Sequence, residues 1–184
     1  MKTLDIVIAM VPSNASDMEA IISLSTKEED IPYLNRLDRI PHLTLSMLSV
    51  KEDDLSMVRT YVSDRISPMV IQLNDSITVI GESGGSVLYW LECERSEELL
   101  YAHAMAMEMR KTLHIEQPSS DSLSPGCAKW MQAFEDHSGE YYKPHFTLGK
   151  GGEASKEKPP KQMVLVPEVL LLYDNCLCRR ISDS

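Results

Sequence analysis

The spacing of apolar and polar positions predicts alternating strands and helices. An apolar, β-branched run over residues 4–11 predicts a central strand, and Ser16 followed by Glu19 fits a capping box opening a helix. The same criteria predict a strand that ends at Leu48 and a helix that places Leu55, Val58, Val62 and Ile66 on one face. A three-stranded meander over 69–73, 77–80 and 87–93 and a helix over 96–113 follow. The last predicted elements are closing strands over 163–166 and 169–179. This order predicts an α+β domain.

The least regular stretch covers residues 116–141. Pro118, Pro125 and Gly126 indicate a loop, and residues 127–137 fit a short helix. This stretch is either a lid over a cleft or an excursion packed on the surface.

One five-residue pattern occurs twice. Pro41-His42-Leu43-Thr44-Leu45 returns as Pro144-His145-Phe146-Thr147-Leu148, with the histidines 103 residues apart. Successive side chains of a strand alternate between its faces, so His and Thr share one face and the apolar residues take the other. Placed side by side, two such strands would present two imidazoles and two hydroxyls to one small space. The alternative is a pair of ordinary amphipathic strands whose polar residues face solvent.

His42-Leu43-Thr44 and His145-Phe146-Thr147 resemble the paired His-x-Thr/Ser motifs of the two-histidine (2H) phosphoesterase superfamily, which includes 2′-5′ RNA ligase and 2′,3′-cyclic phosphodiesterase proteins. The resemblance is specific at the motifs and extends in element order over roughly residues 3–180. It implies a single bilobal α+β domain over 1–184, with two antiparallel sheets facing a central groove, helices on the outer faces and 116–141 as an insertion.

Two histidines on opposite sides of one phosphate can act as base and acid without a metal or another cofactor. We assign His145 as base and His42 as acid, roles that substrate orientation can reverse. Thr44 and Thr147 can donate hydrogen bonds to the non-bridging oxygens.

The resemblance implies a phosphodiesterase that opens 2′,3′-cyclic phosphates of nucleotides or RNA ends. Two alternatives remain: 2′-5′ RNA ligation, and nucleotide or RNA-end binding without turnover. Lys150 is a candidate phosphate contact, and Tyr142 and Trp130 are candidates for stacking on a base. Each is also compatible with an ordinary surface or core role.

The net charge limits the classes of binding partner, and the cysteine content indicates the cellular compartment. The net charge of −10 and the pI near 4.9 argue against broad binding of long nucleic acids or anionic membranes, which leaves a small nucleotide or an RNA terminus as substrate. The run over 4–11 is too short to span a membrane. The four cysteines form no Cys-x-x-Cys pair, which predicts reduced thiols and a cytoplasmic protein. No zinc-ligand spacing is present, and the sequence does not specify an oligomeric state.

A second motif, Gly-x-Ser-x-Gly at Gly81, Ser83 and Gly85, matches the nucleophile pattern of hydrolases. It lies between two predicted strands, whereas a nucleophile elbow must lead into a helix. We therefore predict a hairpin turn at this position.

Overall fold

A computed structural model of the protein describes residues 2–28, 31–81, 87–115, 123–136, 141–153, 155–173 and 177–181. The strands are β1 (Thr3–Pro12), β2 (Lys27–Glu28), β3 (Ile31–Pro32), β4 (Leu43–Lys51), β5 (Met69–Gln72), β6 (Thr78–Gly81), β7 (Val87–Glu92), β8 (His145–Lys150), β9 (Gln162–Tyr173) and β10 (Leu177–Arg180). The helices are α1 (Ala15–Leu24), α2 (Leu55–Arg65), α3 (Glu97–Thr112) and α4 (Pro125–Asp136).

Eight strands form one antiparallel sheet in the order β10-β9-β1-β4-β8-β7-β6, with β5 also pairing with β9; β2 and β3 pair separately. The predicted α+β class is confirmed. The predicted division into two facing sheets is not confirmed, because β4 and β8 pair directly through Leu43 and Phe146. The hydrogen-bonded path therefore runs through both motif strands without interruption.

The apolar residues of both motif strands face the core. Leu43, Leu45, Phe146 and Leu148 are fully buried, and helix α3 packs against β4 while α1 packs against β1 and β8. Burial of these large side chains is the main stabilising term for this region. Because side chains alternate along a strand, the histidines and threonines lie on the face opposite these helices.

The three predicted meander strands do not form a meander. Strands β6 and β7 pair as predicted, but β5 pairs with β9 and touches the meander only through an isolated bridge between Leu73 and Cys93. A local apolar run predicts a strand but carries no information about a partner far along the chain. Residues 82–86, which hold most of the Gly-x-Ser-x-Gly motif, lie outside the described residues.

The predicted capping box at Ser16 and Glu19 is wrong, because the helix begins earlier in the chain. Helix α1 begins at Ala15, and the side chain of Asn14 accepts a hydrogen bond from the backbone N–H of Asp17 at 2.9 Å. Asn is as good a cap as Ser, so the pattern alone could not distinguish the two starting points.

Ser49 lies inside β4. Its fully buried hydroxyl donates to the Asp5 carboxylate at 2.5 Å, and α2 begins only after a 3₁₀ turn over Glu52–Asp54. The buried aspartate thus has a hydrogen-bond partner on the neighbouring strand, as burial of a charged group requires.

Within the predicted insertion, residues 116–122 and 137–140 lie outside the described residues. Helix α4 packs against β4, with Cys127 and Met131 buried, and the Phe134 ring meets His103 edge-on at 6.2 Å. This part of the insertion is therefore a packed excursion.

The prediction of four reduced cysteines is wrong. Cys93 and Cys178 are free and buried, but Cys127 is disulfide-bonded. Sequence spacing does not report which sulfur atoms the fold brings together. Among the described residues, no helix has the length and hydrophobicity needed to span a membrane.

Candidate active site

The pairing of β4 with β8 brings the two motifs together. Leu43 lies opposite Phe146, so continuing the antiparallel register places His42 opposite Thr147 and Thr44 opposite His145. Side chains directly opposite each other in such a pair have Cβ atoms about 4.5–5.5 Å apart. All four side chains are partly exposed on one face. The structure therefore assembles the four predicted catalytic residues around one point, although they come from segments 103 residues apart.

Both motif strands contain a β-bulge at the same motif position. The β1–β4 register skips Leu45, and the β7–β8 register skips Leu148, which is 103 residues further along. A bulge increases the local twist and redirects the side chains that follow. The two halves of the site are thus related by an approximate two-fold rotation about the Leu43–Phe146 pair.

Each bulge carbonyl is satisfied by a group outside the sheet. His103 Nδ1 on α3 donates to the Leu45 carbonyl at 2.7 Å, and the Thr26 N–H donates to the Leu148 carbonyl at 3.0 Å. Unpaired buried carbonyls are costly, so these donors stabilise the bulges. His103 is buried, and its hydrogen bond to the bulge gives it a structural role.

The imidazoles of the two motifs are anchored in the same way. Nδ1 of His42 lies 2.8 Å from the Ile40 carbonyl, and Nδ1 of His145 lies 2.8 Å from the Lys143 carbonyl. A carbonyl can only accept, so Nδ1 carries the hydrogen in both rings and Nε2 keeps the lone pair. Both rings therefore present a basic Nε2 to the site.

Partial burial lowers the pKa of both histidines and so favours their neutral forms. It lowers the pKa of His42 from 6.5, with the Ile40 carbonyl opposing the shift. Burial, helped by repulsion from His42, lowers the pKa of His145 to about 4, against the opposing effects of the Lys143 carbonyl and Glu92. The effect of His42 on His145 reflects the proximity of the two rings.

Trp90 is a site residue that the sequence did not reveal. Its ring stacks on His145, with centroids 3.8 Å apart and planes 17° from parallel. Trp90 lies opposite Thr147 in β7–β8, whereas the equivalent residue opposite Thr44 in β1–β4 is Ala9. The two halves of the site thus differ at this position. In the sequence, the alternation of side chains places Leu88, Trp90 and Glu92 on one face of a strand. This alternation does not identify which strand lies beside it, so it could not show that Trp90 contacts His145.

The three predicted substrate contacts have different surroundings. Lys150 is exposed and lies opposite Leu88; because Leu88 and Trp90 share a face of β7, Lys150 lies on the same face as Thr147. Trp130 lies on α4 with 47% of its surface exposed, so its role stays a prediction.

Tyr142 is not placed to stack on a base. It is 4% exposed, its ring lies 3.9 Å from that of His103, and its hydroxyl donates to the Thr44 carbonyl at 2.8 Å. The prediction is therefore corrected: Tyr142 supports the backbone of the first motif from behind. An aromatic residue three positions before a catalytic histidine gives no sequence signal of which way it turns.

Replacing Trp90 with leucine is expected to raise the pKa of His145 from about 4 towards 6.5, because water then reaches the imidazole and the desolvation penalty falls. NMR titration of ring signals measures this directly, with Trp130→Leu as the matched control. An unchanged His145 titration in the Trp90→Leu protein would contradict the role given to the stacked ring.

The order of strands and helices is similar to that of LigT and of a related phosphoesterase. Three solved structures are similar to this chain: a phosphoesterase (TM-score 0.55, 14% identity, 92% of this chain and 88% of that one), E. coli LigT in the apo form (0.56, 14%, 99% and 96%), and E. coli LigT complexed with 3′-AMP (0.54, 16%, 92% and 88%).

At these identities the likeness shows the fold, and at that level the resemblance seen in the sequence is confirmed. No protein-family model and no curated protein sequence matches the chain. Within the described ranges, no group of three or more His, Cys, Asp or Glu side chains is arranged to hold a metal ion.

Proposed function

We propose that the protein is a metal-independent phosphodiesterase that opens 2′,3′-cyclic phosphates on nucleotides or RNA ends. The observation that carries the proposal is the pairing of β4 with β8, which sets two Nδ1-anchored imidazoles and two threonine hydroxyls on one face of the sheet. The similarity to LigT in complex with 3′-AMP supports a nucleotide as ligand.

In the proposed reaction, Nε2 of His145 removes a proton from water, and the water oxygen attacks phosphorus. The bond from phosphorus to the 3′ oxygen breaks, and protonated His42 gives its Nε2 proton to that oxygen. The product carries a 2′-phosphate and a 3′-hydroxyl. Thr44 and Thr147 donate hydrogen bonds to the non-bridging oxygens as negative charge develops on them.

Substrate binding supplies the charge state that this reaction needs. Burial lowers the pKa of both imidazoles in the free protein and so favours their neutral forms, but the acid must be protonated. A bound phosphodiester anion favours the imidazolium form of its neighbours and so raises their pKa values. The Trp90 ring, which shields His145 from water, favours the neutral form at that histidine and therefore the role of base.

The pH dependence of catalysis follows from the directions of the two histidine pKa shifts. Since both folded-state pKa values lie below 6.5, the bell-shaped profile of kcat/KM is expected to have both limbs below pH 6.5, with the acid limb near 4 from His145. The kcat profile should lie at higher pH, because bound phosphate raises both values. A steady-state pH series tests this, and a flat kcat/KM profile between pH 5 and 8 would exclude paired imidazole catalysis.

The proposal itself is tested with 2′,3′-cyclic nucleotides in the presence and absence of EDTA. Turnover that survives the chelator supports the two-histidine reaction, whereas loss of turnover on chelation would overturn it. Lys150 is proposed as a further phosphate contact and Trp130 as a stacking residue.

Two other functions use the same groove. In 2′-5′ ligation a 5′-hydroxyl attacks the cyclic phosphate in place of water, and the same base and acid serve. Joining of RNA ends with no hydrolysis would favour this reading, and tight nucleotide binding without turnover would favour a binding protein.

A further inference from the structure

Two arginines and two tyrosines form a cluster near the first motif. The Arg39 guanidinium lies 5.6 Å from the centre of the Tyr33 ring, and that of Arg179 lies 5.0 Å from the centre of the Tyr173 ring. The Tyr173 hydroxyl donates to the Asp38 carbonyl at 2.5 Å, which joins the two pairs. We call Tyr33, Arg39, Tyr173 and Arg179 the arginine–tyrosine patch.

The patch is connected to His42 through one residue. Ile40 follows Arg39, and its carbonyl is the group that fixes Nδ1 of His42. The Ile40 N–H donates to the Cys178 carbonyl at 3.0 Å, next to Arg179. One end of the patch is therefore held against the segment that orients a catalytic histidine.

The patch is connected to the second motif as well. The Tyr33 N–H donates to the Thr26 carbonyl at 2.7 Å, and the Thr26 N–H donates to the Leu148 carbonyl at 3.0 Å. The Lys150 ammonium also lies near enough to Tyr33 to oppose the rise in the phenol's pKa that burial causes. These contacts connect the patch to the strand that carries Thr147, as well as to the segment that precedes His42.

The charges in the patch are unusual for so acidic a protein. Arg36 pairs with Glu19 and Arg180 pairs with Glu168, but over the described part of the chain neither Arg39 nor Arg179 forms an ion pair. Burial and the Asp38 carboxylate raise the pKa of the Tyr173 phenol while Arg179 and Arg39 lower it, so all three charges lie near this side chain. Because neither arginine forms an ion pair within the described residues, both guanidinium groups can bind an anionic ligand.

We propose that the arginine–tyrosine patch, together with Lys150, binds the phosphodiester backbone upstream of the reacting nucleotide, so that the substrate is the end of an RNA chain rather than a mononucleotide. The inference rests on the proposed function. A guanidinium held against a tyrosine ring presents its planar fork to phosphate, and partly exposed tyrosines offer faces to bases. Cations placed at one end of the site attract a short strand despite the net charge of −10.

Binding is measured by fluorescence anisotropy with a 5′-labelled tetraribonucleotide carrying a 3′-phosphate, and by its competition with 3′-AMP. These ligands need no turnover, so the result is separate from the proposed reaction. The wild-type protein is expected to bind the tetranucleotide about tenfold or more tighter than 3′-AMP. The Arg39→Gln/Arg179→Gln protein should lose this preference and keep its affinity for 3′-AMP.

Salt dependence gives a second readout. Each arginine removed should reduce the slope of log K against log salt by about 0.7 for the single strand. Arg36→Gln, which removes an arginine already paired with Glu19, is the matched control and should leave preference and slope unchanged. Equal affinity for the two ligands in the wild-type protein, or a preference that survives the double substitution, would overturn the inference. A preference without hydrolysis of cyclic phosphates would instead refute only the proposed reaction.

Discussion

Replacing either His42 or His145 with alanine is expected to lower kcat on a 2′,3′-cyclic nucleotide by about 10²–10⁴-fold, the usual contribution of a general acid or base. Each substitution removes the Nε2 that transfers a proton, while the threonine hydroxyls and the sheet that carries them remain. The double variant should lose little more than either single one, because residues that act as a unit are not additive. Single-turnover kinetics on purified proteins measures all three.

His114→Asn is the matched control for these substitutions. His114 lies just beyond the end of α3 with φ at 53°, a conformation that asparagine tolerates. This protein should retain wild-type kcat. Full activity in the His42→Ala or His145→Ala protein would show that the paired motifs do not perform the chemistry.

Gly149→Ala is expected to lower the free energy of unfolding by about 2–4 kcal/mol, the range for severe overpacking combined with backbone strain. A Cβ at this position would lie 1.9 Å from Oγ1 of Thr26, and φ is +149°. Thr26 is 4% exposed and its N–H holds the Leu148 carbonyl, so it has little freedom to move. Urea denaturation measures the change.

Two further variants separate the effect of overpacking from the effect of backbone strain. Gly81→Ala, where a Cβ meets nothing within 4 Å, should change stability little. Adding Thr26→Ala to Gly149→Ala should recover part of the loss by removing Oγ1, while the backbone strain remains. Equal stabilities of the Gly149→Ala and Gly81→Ala proteins would be inconsistent with the close packing of β8 on the Thr26 segment.

The sequence predicted which motif residues share a face of a strand better than it predicted how the strands pair. The repeated Pro-His-x-Thr-Leu pattern fixed which residues share a face, because strand alternation is a local property. The pairing of β5 with β9 and the stacking of Trp90 on His145 depend on contacts between distant segments. Periodicity carries no information about such contacts, so these features could not be predicted.

The two β-bulges could not be predicted from the sequence either. Nothing in Leu45 or Leu148 distinguishes a bulged residue from a regular one, and the donors that stabilise each bulge come from His103 and Thr26. Tyr142 was misassigned for a related reason, since an aromatic residue beside a motif can turn towards a ligand or into the core. Only the packing of α3 behind β4 decides between these two environments.

Ala9 occupies the position in the first half of the site that Trp90 occupies in the second. This difference has a consequence for which ester bond of the substrate is cleaved. Two interchangeable imidazoles would cleave either ester bond of a five-membered cyclic phosphate and yield a mixture of isomers. With an indole against His145 and only a methyl group at the equivalent position, the two halves of the site are chemically distinct. The protein is therefore expected to release a single phosphomonoester isomer, which ³¹P spectra of the products would identify.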